Sequence, residues 1–147
     1  MFRAFCFVLV TGACSYASLG QCRPAPDSRQ TAWGHQNAVR VNSKPLKKLQ
    51  GTLLLGYGGP EVFKEGVLVE VFDHPELALS GDPNRTGQKR LKACVTSKDG
   101  AFSFDLPAGK YELRCSKPVE WNCTSVIVEI DKKGSSKPLN VRLLLAE

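Results

Sequence analysis

From Thr52 to Leu145 apolar and polar residues alternate in short runs separated by turn-forming residues, the period-two pattern of strands with one buried face. Thr52 to Leu55 is the first run and ends in Gly56-Tyr57-Gly58-Gly59-Pro60. Val67, Val69 and Val71 mark the inward side of the second, Leu91 to Thr96 is the third, and Ala101 to Leu106 is the fourth. Lys110 to Ser116 repeats the pattern through Tyr111, Leu113 and Cys115; Thr124 to Ile130 does so through Val126, Val128 and Ile130. Leu139, Val141, Leu143 and Leu145 form the last. Asp99-Gly100 supplies the positive φ that a tight turn needs before Phe102 and Phe104. Seven short strands without a sustained helical period predict an all-β, two-sheet sandwich.

Two stretches depart from the even spacing. Gln21 to Lys48 is rich in Pro, Ser, Asn, Gln and basic residues and reads as an N-terminal arm or linker, with a short edge strand between Asn37 and Asn42 where Val39 and Val41 alternate. The sandwich domain is therefore expected to run from Leu49 to Glu147. Asp73 to Arg90 is a long connection, and long loops on rigid sandwiches are where binding tends to reside. Leu77 and Leu79 are expected to pin it down through one helical turn, and its removal from Glu76 to Gly87 is expected to leave the fold intact, since loop length costs little.

Residues 1–20 carry the order of a secretory signal: Arg3, the apolar run Ala4 to Val10, then small residues to Gly20. The run is too short to span a bilayer, so no transmembrane segment is expected after its removal. Lipidation at Cys14 is an alternative, though Val10-Thr11-Gly12-Ala13 lacks the usual Leu ahead of the cysteine. Export to the periplasm or outside the cell, with outer-membrane association as a variant, leaves Cys22, Cys94, Cys115 and Cys123 in an oxidising compartment, where disulfides are the default. No Cys-x-x-Cys pair is present to suggest a zinc ribbon or a redox centre. The formal charge of +6 falls to +5 without Arg3. Its basic clusters, such as Lys89, Arg90 and Lys92, are not interleaved with stacking aromatics and read as solvated loops and strand faces, which argues against nucleic acid.

Candidate chemistry is sparse. His35 and His74 are the only imidazoles, a metal site from Asp73, His74, Glu76 and Asp82 matches no calcium-loop spacing, and Gly56-Tyr57-Gly58-Gly59 lacks the lysine of a phosphate cradle. No catalytic, cofactor or metal residue is assigned. The candidate partner-binding residues are His74, Glu76, Asp82, Arg85, Lys89 and Arg90 of the long connection, with Trp121, which either caps the sandwich or offers a flat face to a sugar or peptide.

Gly51-Thr52, Gly66-Val67-x-Val69-x-Val71, Thr96-x-x-Asp99-Gly100-x-Phe102-x-Phe104, Leu106-Pro107-x-Gly109-x-Tyr111-x-Leu113 and Leu139-x-Val141-x-Leu143 together resemble the carboxypeptidase regulatory-like domain, one of the transthyretin-like sandwiches. The resemblance covers Leu49 to Leu145. It implies a seven-stranded Greek-key sandwich serving as an accessory or adhesion module on exported bacterial proteins, without shared catalytic residues. In such a topology the fifth and sixth strands are neighbours, which would bring Cys115 and Cys123 within bridging reach. Their phases disagree, so the bridge requires a bulge or a loop position for Cys123; the pairing of Cys22 and Cys94 stays open. The functional expectation is a non-catalytic exported domain that engages a protein or polysaccharide at the cell envelope. The alternative is a purely structural module without a ligand of its own.

Overall fold

The computed structural model describes residues 22–24, 39–55, 65–82, 85–117 and 123–143. The strands are β1 (Arg23–Pro24), β2 (Arg40–Val41), β3 (Leu49–Leu55), β4 (Leu68–Phe72), β5 (Arg90–Val95), β6 (Ala101–Phe104), β7 (Gly109–Ser116), β8 (Thr124–Ile130) and β9 (Leu139–Leu143). A 3₁₀ turn, Pro75–Leu79, lies between β4 and β5. The larger sheet has the order β1-β5-β4-β7-β8-β2, and the smaller β6-β3-β9. Both sheets are mixed, because β2 runs parallel to β8 and β9 parallel to β3. The all-β, two-sheet sandwich is as the alternation requires. The strand count exceeds seven because β1 and β2, of two residues each, extend opposite edges of the larger sheet.

The core forms where the apolar phases of the two sheets meet. Val69 and Val71 of β4, Tyr111, Leu113 and Cys115 of β7, and Val126, Val128 and Ile130 of β8 face Leu49, Leu53, Phe102, Phe104, Val141 and Leu143. Burying such a side chain contributes about 1.5–3 kcal/mol each, so this layer dominates the favourable side of folding. Gly51 sits where Phe102 crosses β3: a methyl group there would meet the ring at 2.7 Å and the carbonyl of Leu139 more closely still. Gly100 takes φ 67, as the turn before β6 demands.

The expected boundary between arm and domain falls inside the fold. Leu46 is 4% exposed within the core; its amide donates to the Glu129 carbonyl at 2.8 Å, and its carbonyl accepts from Asp131 at 2.9 Å. Gly134 permits that approach, since a Cβ there would lie 2.7 Å from the Leu46 carbonyl oxygen. Further back, Cys22 is bridged to Cys94, holding β1 on the edge of β5. Polar composition misled here because one apolar residue, one disulfide and backbone pairing suffice to dock a segment that lacks any period of its own. The expected edge strand near Val41 does form, paired with Ile127.

Candidate functional site

In a half-solvated sheet the residues between core positions face water, yet in β7 both phases are buried from Tyr111 to Ser116. Glu112 is 0% and Arg114 2% exposed, on the side of the sheet away from the core. What covers them is the connection between β4 and β5. Its two ends are zipped together: Asp73 donates its amide to the Lys89 carbonyl at 3.1 Å, and Asp73 Oδ1 accepts the Lys89 amide at 2.7 Å. His74 takes φ 47, after which Pro75 opens the 3₁₀ turn with its fixed φ. Ser80 closes that turn, its Oγ donating to the Leu77 carbonyl at 2.8 Å. Asp82 Oδ2 then accepts the Thr86 amide at 3.1 Å, and Arg85 adopts φ 45, which turns its side chain down onto the sheet.

The return limb ends in a buried polar network. The Arg85 guanidinium pairs with Glu112, both side chains being under 5% exposed. Gln88 Nε2 donates to Glu112 Oε2 at 2.5 Å, Ser125 Oγ to Oε1 at 2.7 Å, and Arg114 Nη2 to Oε2 at 3.2 Å. Arg114 also reaches Gln88 Oε1 at 2.9 Å and stacks 4.0 Å above the Phe72 ring, a cation–π contact. Burial alone would raise the Glu112 carboxyl, but Arg114, Gln88, Ser125 and Arg85 together outweigh it and hold it below its usual value. Glu70, opposite Arg114 in the register, is less well served. One of its oxygens accepts from Arg90 at 3.2 Å, whereas Oε2 has no hydrogen-bond partner among the described residues. Burial therefore prevails and pushes its carboxyl up.

The candidate partner-binding residues separate into two groups. Arg85 and Arg90 are engaged in this network and face the sheet, so neither is available to a partner; Asp82 shapes the loop through its carboxylate, while Lys89 does so through its backbone alone and is exposed. His74 and Glu76 stay at the surface, with Nδ1 and Oε1 3.0 Å apart and side chains 59% and 66% exposed. Together with Pro75, Leu79, Lys110 and Ile127 they line a groove of about 400 Å³. Leu79 is 62% exposed and so is not the expected anchor of the connection; Pro75 and Arg85 are. Excising Glu76 to Gly87 would remove the Arg85 guanidinium from buried Glu112, which would keep Gln88, Arg114 and Ser125. Val41, also 62% exposed, lies beside Ile127 and prolongs the apolar strip to the sheet edge. Trp121 and Cys14 lie outside the described residues.

Cys115 and Cys123 do not form the expected bridge: both are buried free thiols. β7 and β8 are neighbours, but Cys115 points into the core, while Cys123, out of phase with Val126, falls on the opposite side of the sheet among the charged groups. The pairing needed a bulge or a loop position for Cys123; the β7–β8 register runs without a shift up to Cys115 opposite Thr124, and Cys123, just before β8, is not joined to Cys115. Burial pushes the Cys123 thiol up to about 12, and Cys115 is raised as well. Among the described residues no three metal-ligating side chains gather.

The sequence reading missed Glu70, Gln88, Glu112, Arg114 and Ser125. The available signal was Glu112 and Arg114 interleaved with Tyr111, Leu113 and Cys115 in a strand expected to lie mid-sheet, beside a connection long enough to cover it. The outcome is a shoulder, Asp73 to Leu79, tied to the return limb through the Asp73–Lys89 hydrogen bonds and presenting an imidazole, a carboxylate and an apolar strip to solvent. No family model matches the chain, and a search of curated proteins finds no match.

Proposed function

We propose that this chain is a non-catalytic binding domain, exported to the periplasm or cell exterior, that engages a partner through the shoulder formed by His74, Pro75, Glu76 and Leu79. The observation that carries the reading is Leu79, 62% exposed at the rim of a groove floored by Ile127 and Pro75 and flanked by Lys110, His74 and Glu76. An exposed apolar strip rimmed by charges of both signs suits a protein surface, where an apolar anchor and rim ion pairs are combined. Of the two partner classes expected, a protein therefore fits this shoulder better than a polysaccharide. Export is supported by the signal-like residues 1–20 and by the Cys22–Cys94 bridge, which suits an oxidising compartment. Among the described residues no helix is long and apolar enough to cross a membrane. The likeness of the sequence motifs to the carboxypeptidase regulatory-like domain supports an accessory role.

A structural module of an envelope assembly is the second reading, favoured by the buried network, which stiffens the larger sheet without needing a ligand. Capture from envelope extract with wild-type protein and with Leu79→Asp separates the two. The binding reading expects a partner held by the wild type and lost from a variant whose melting temperature is unchanged. Retention of every partner by Leu79→Asp removes the shoulder from consideration.

A further inference from the structure

We infer that the outer face of the smaller sheet, which no described residue covers beside the disulfide, is a separate binding site for a neutral oligosaccharide. A cleft of about 600 Å³ lies there, within the range of small-ligand sites. Because Leu49, Leu53, Phe102 and Phe104 point into the core, Gln50 and Thr52 of β3 and Ser103 of β6 point out into the cleft. The register sets Gln50 directly opposite Ser103 and pairs Leu49 with Phe104, which brings Lys48 and Asp105 to the same end of the two strands. Lys48, Thr52, Ser103 and Asp105 make no side-chain hydrogen bond or ion pair among the described residues, in contrast to the densely bonded Glu112 carboxylate on the larger sheet. Cys22 forms one wall, and its bridge to Cys94 keeps that wall in place.

The donor set selects the ligand class. Two hydroxyls, an ammonium and a carboxylate, with the Gln50 amide whose Nε2 also donates to the Ser136 carbonyl at 3.5 Å, offer donors and acceptors in one cleft, matching sugar hydroxyls, each of which both donates and accepts. The single positive and single negative group leave no net charge to attract an anion. The apolar part of the lining comprises Ala101, Pro138 and Phe102, and Phe102 itself is 3% exposed and committed to the core. This site shares no residue with the shoulder, so either can fail without the other.

The test is a ¹⁵N NMR titration of the full chain with maltotriose and with the N-acetylated trimer chitotriose, using trigalacturonate as the anionic control. At least one neutral trimer is expected to shift amides of residues 48–52 and 101–105 and leave 74–79 unmoved. Ser103→Arg, at an exposed strand position, should abolish these shifts while preserving the rest of the spectrum. Thr52→Val and Asp105→Ala should each weaken binding about tenfold. The double variant Cys22→Ser/Cys94→Ser, titrated under conditions where its spectrum remains folded, should lose affinity as the wall detaches. The inference is overturned if neither neutral trimer shifts those amides, if shifts centre on 74–79, if Ser103→Arg binds as the wild type does, or if trigalacturonate binds as tightly.

Discussion

Replacing Glu112 by Gln removes one charge and leaves the shape of the side chain intact, so it isolates the electrostatic part of the buried network. Glu112 Oε2 accepts from Gln88 at 2.5 Å and from Arg114 at 3.2 Å, while Oε1 accepts from Ser125 at 2.7 Å and pairs with Arg85. An amide has one acceptor oxygen, and whichever position its NH₂ takes, it points at existing donors. Arg85 and Arg114, 3% and 2% exposed, lose the Glu112 charge that each faces at a site largely closed to water. Breaking a buried pair from one side costs about 3–5 kcal/mol, a large fraction of the ~5–15 kcal/mol that holds a domain of this kind folded. With a urea slope of about 1.5 kcal/mol/M, the unfolding midpoint should fall by about 2 M or more. Glu70→Gln is the control on the same face. Its Oε2 has no partner to lose, its desolvation already favours the neutral form, and Arg90, 18% exposed, can turn to solvent. That variant should stay within about 1 kcal/mol of wild type. Equal midpoints for Glu112→Gln and wild type, or a larger loss for Glu70→Gln, would refute the account of the network.

Three further outcomes are expected. Removing the Cys22–Cys94 bridge, which spans a sequence separation of 72, should destabilise the domain by about 4 kcal/mol in the chain-entropy treatment, measured as the midpoint difference between wild type and the double Ser variant. In acid, the stability contributed by Glu112 is fully present above 4.5 and is lost as pH falls through its lower folded value, whereas the contribution of Glu70 is present below 4.5 and fades as pH rises through its higher folded value. Denaturant midpoints followed across pH should thus show a shallower acid limb in Glu112→Gln and a shallower decline above 4.5 in Glu70→Gln. Cys115 and Cys123 should resist iodoacetamide at pH 8 in the native state and label fully in urea, as read by peptide mapping; rapid native labelling of Cys123 would contradict its burial and its raised thiol.

The period-two runs determined the sandwich, because alternation by itself says which side of each strand is buried, and Val69, Leu113 and Val126 can satisfy it only against a second sheet. The turn at Asp99-Gly100 and the length of the Asp73 to Arg90 connection were equally local and equally readable. What lay beyond the sequence was every feature that depends on which segment covers which face. Alternation assigns Glu70, Glu112 and Arg114 to the side away from the core, but whether that side meets water depends on a loop folding back over it. Arg85 reads as a loop cation until φ 45 turns it inward. The cysteines show the same division. Their number pointed to bridging, while the choice of Cys22 with Cys94 over Cys115 with Cys123 required knowing that β1 docks against β5 and that the other two thiols emerge on opposite faces of one sheet. Local pattern sets the phase of a strand; contact between distant segments sets what that phase encounters, and in this chain the buried charges and the candidate binding surfaces arise from the second.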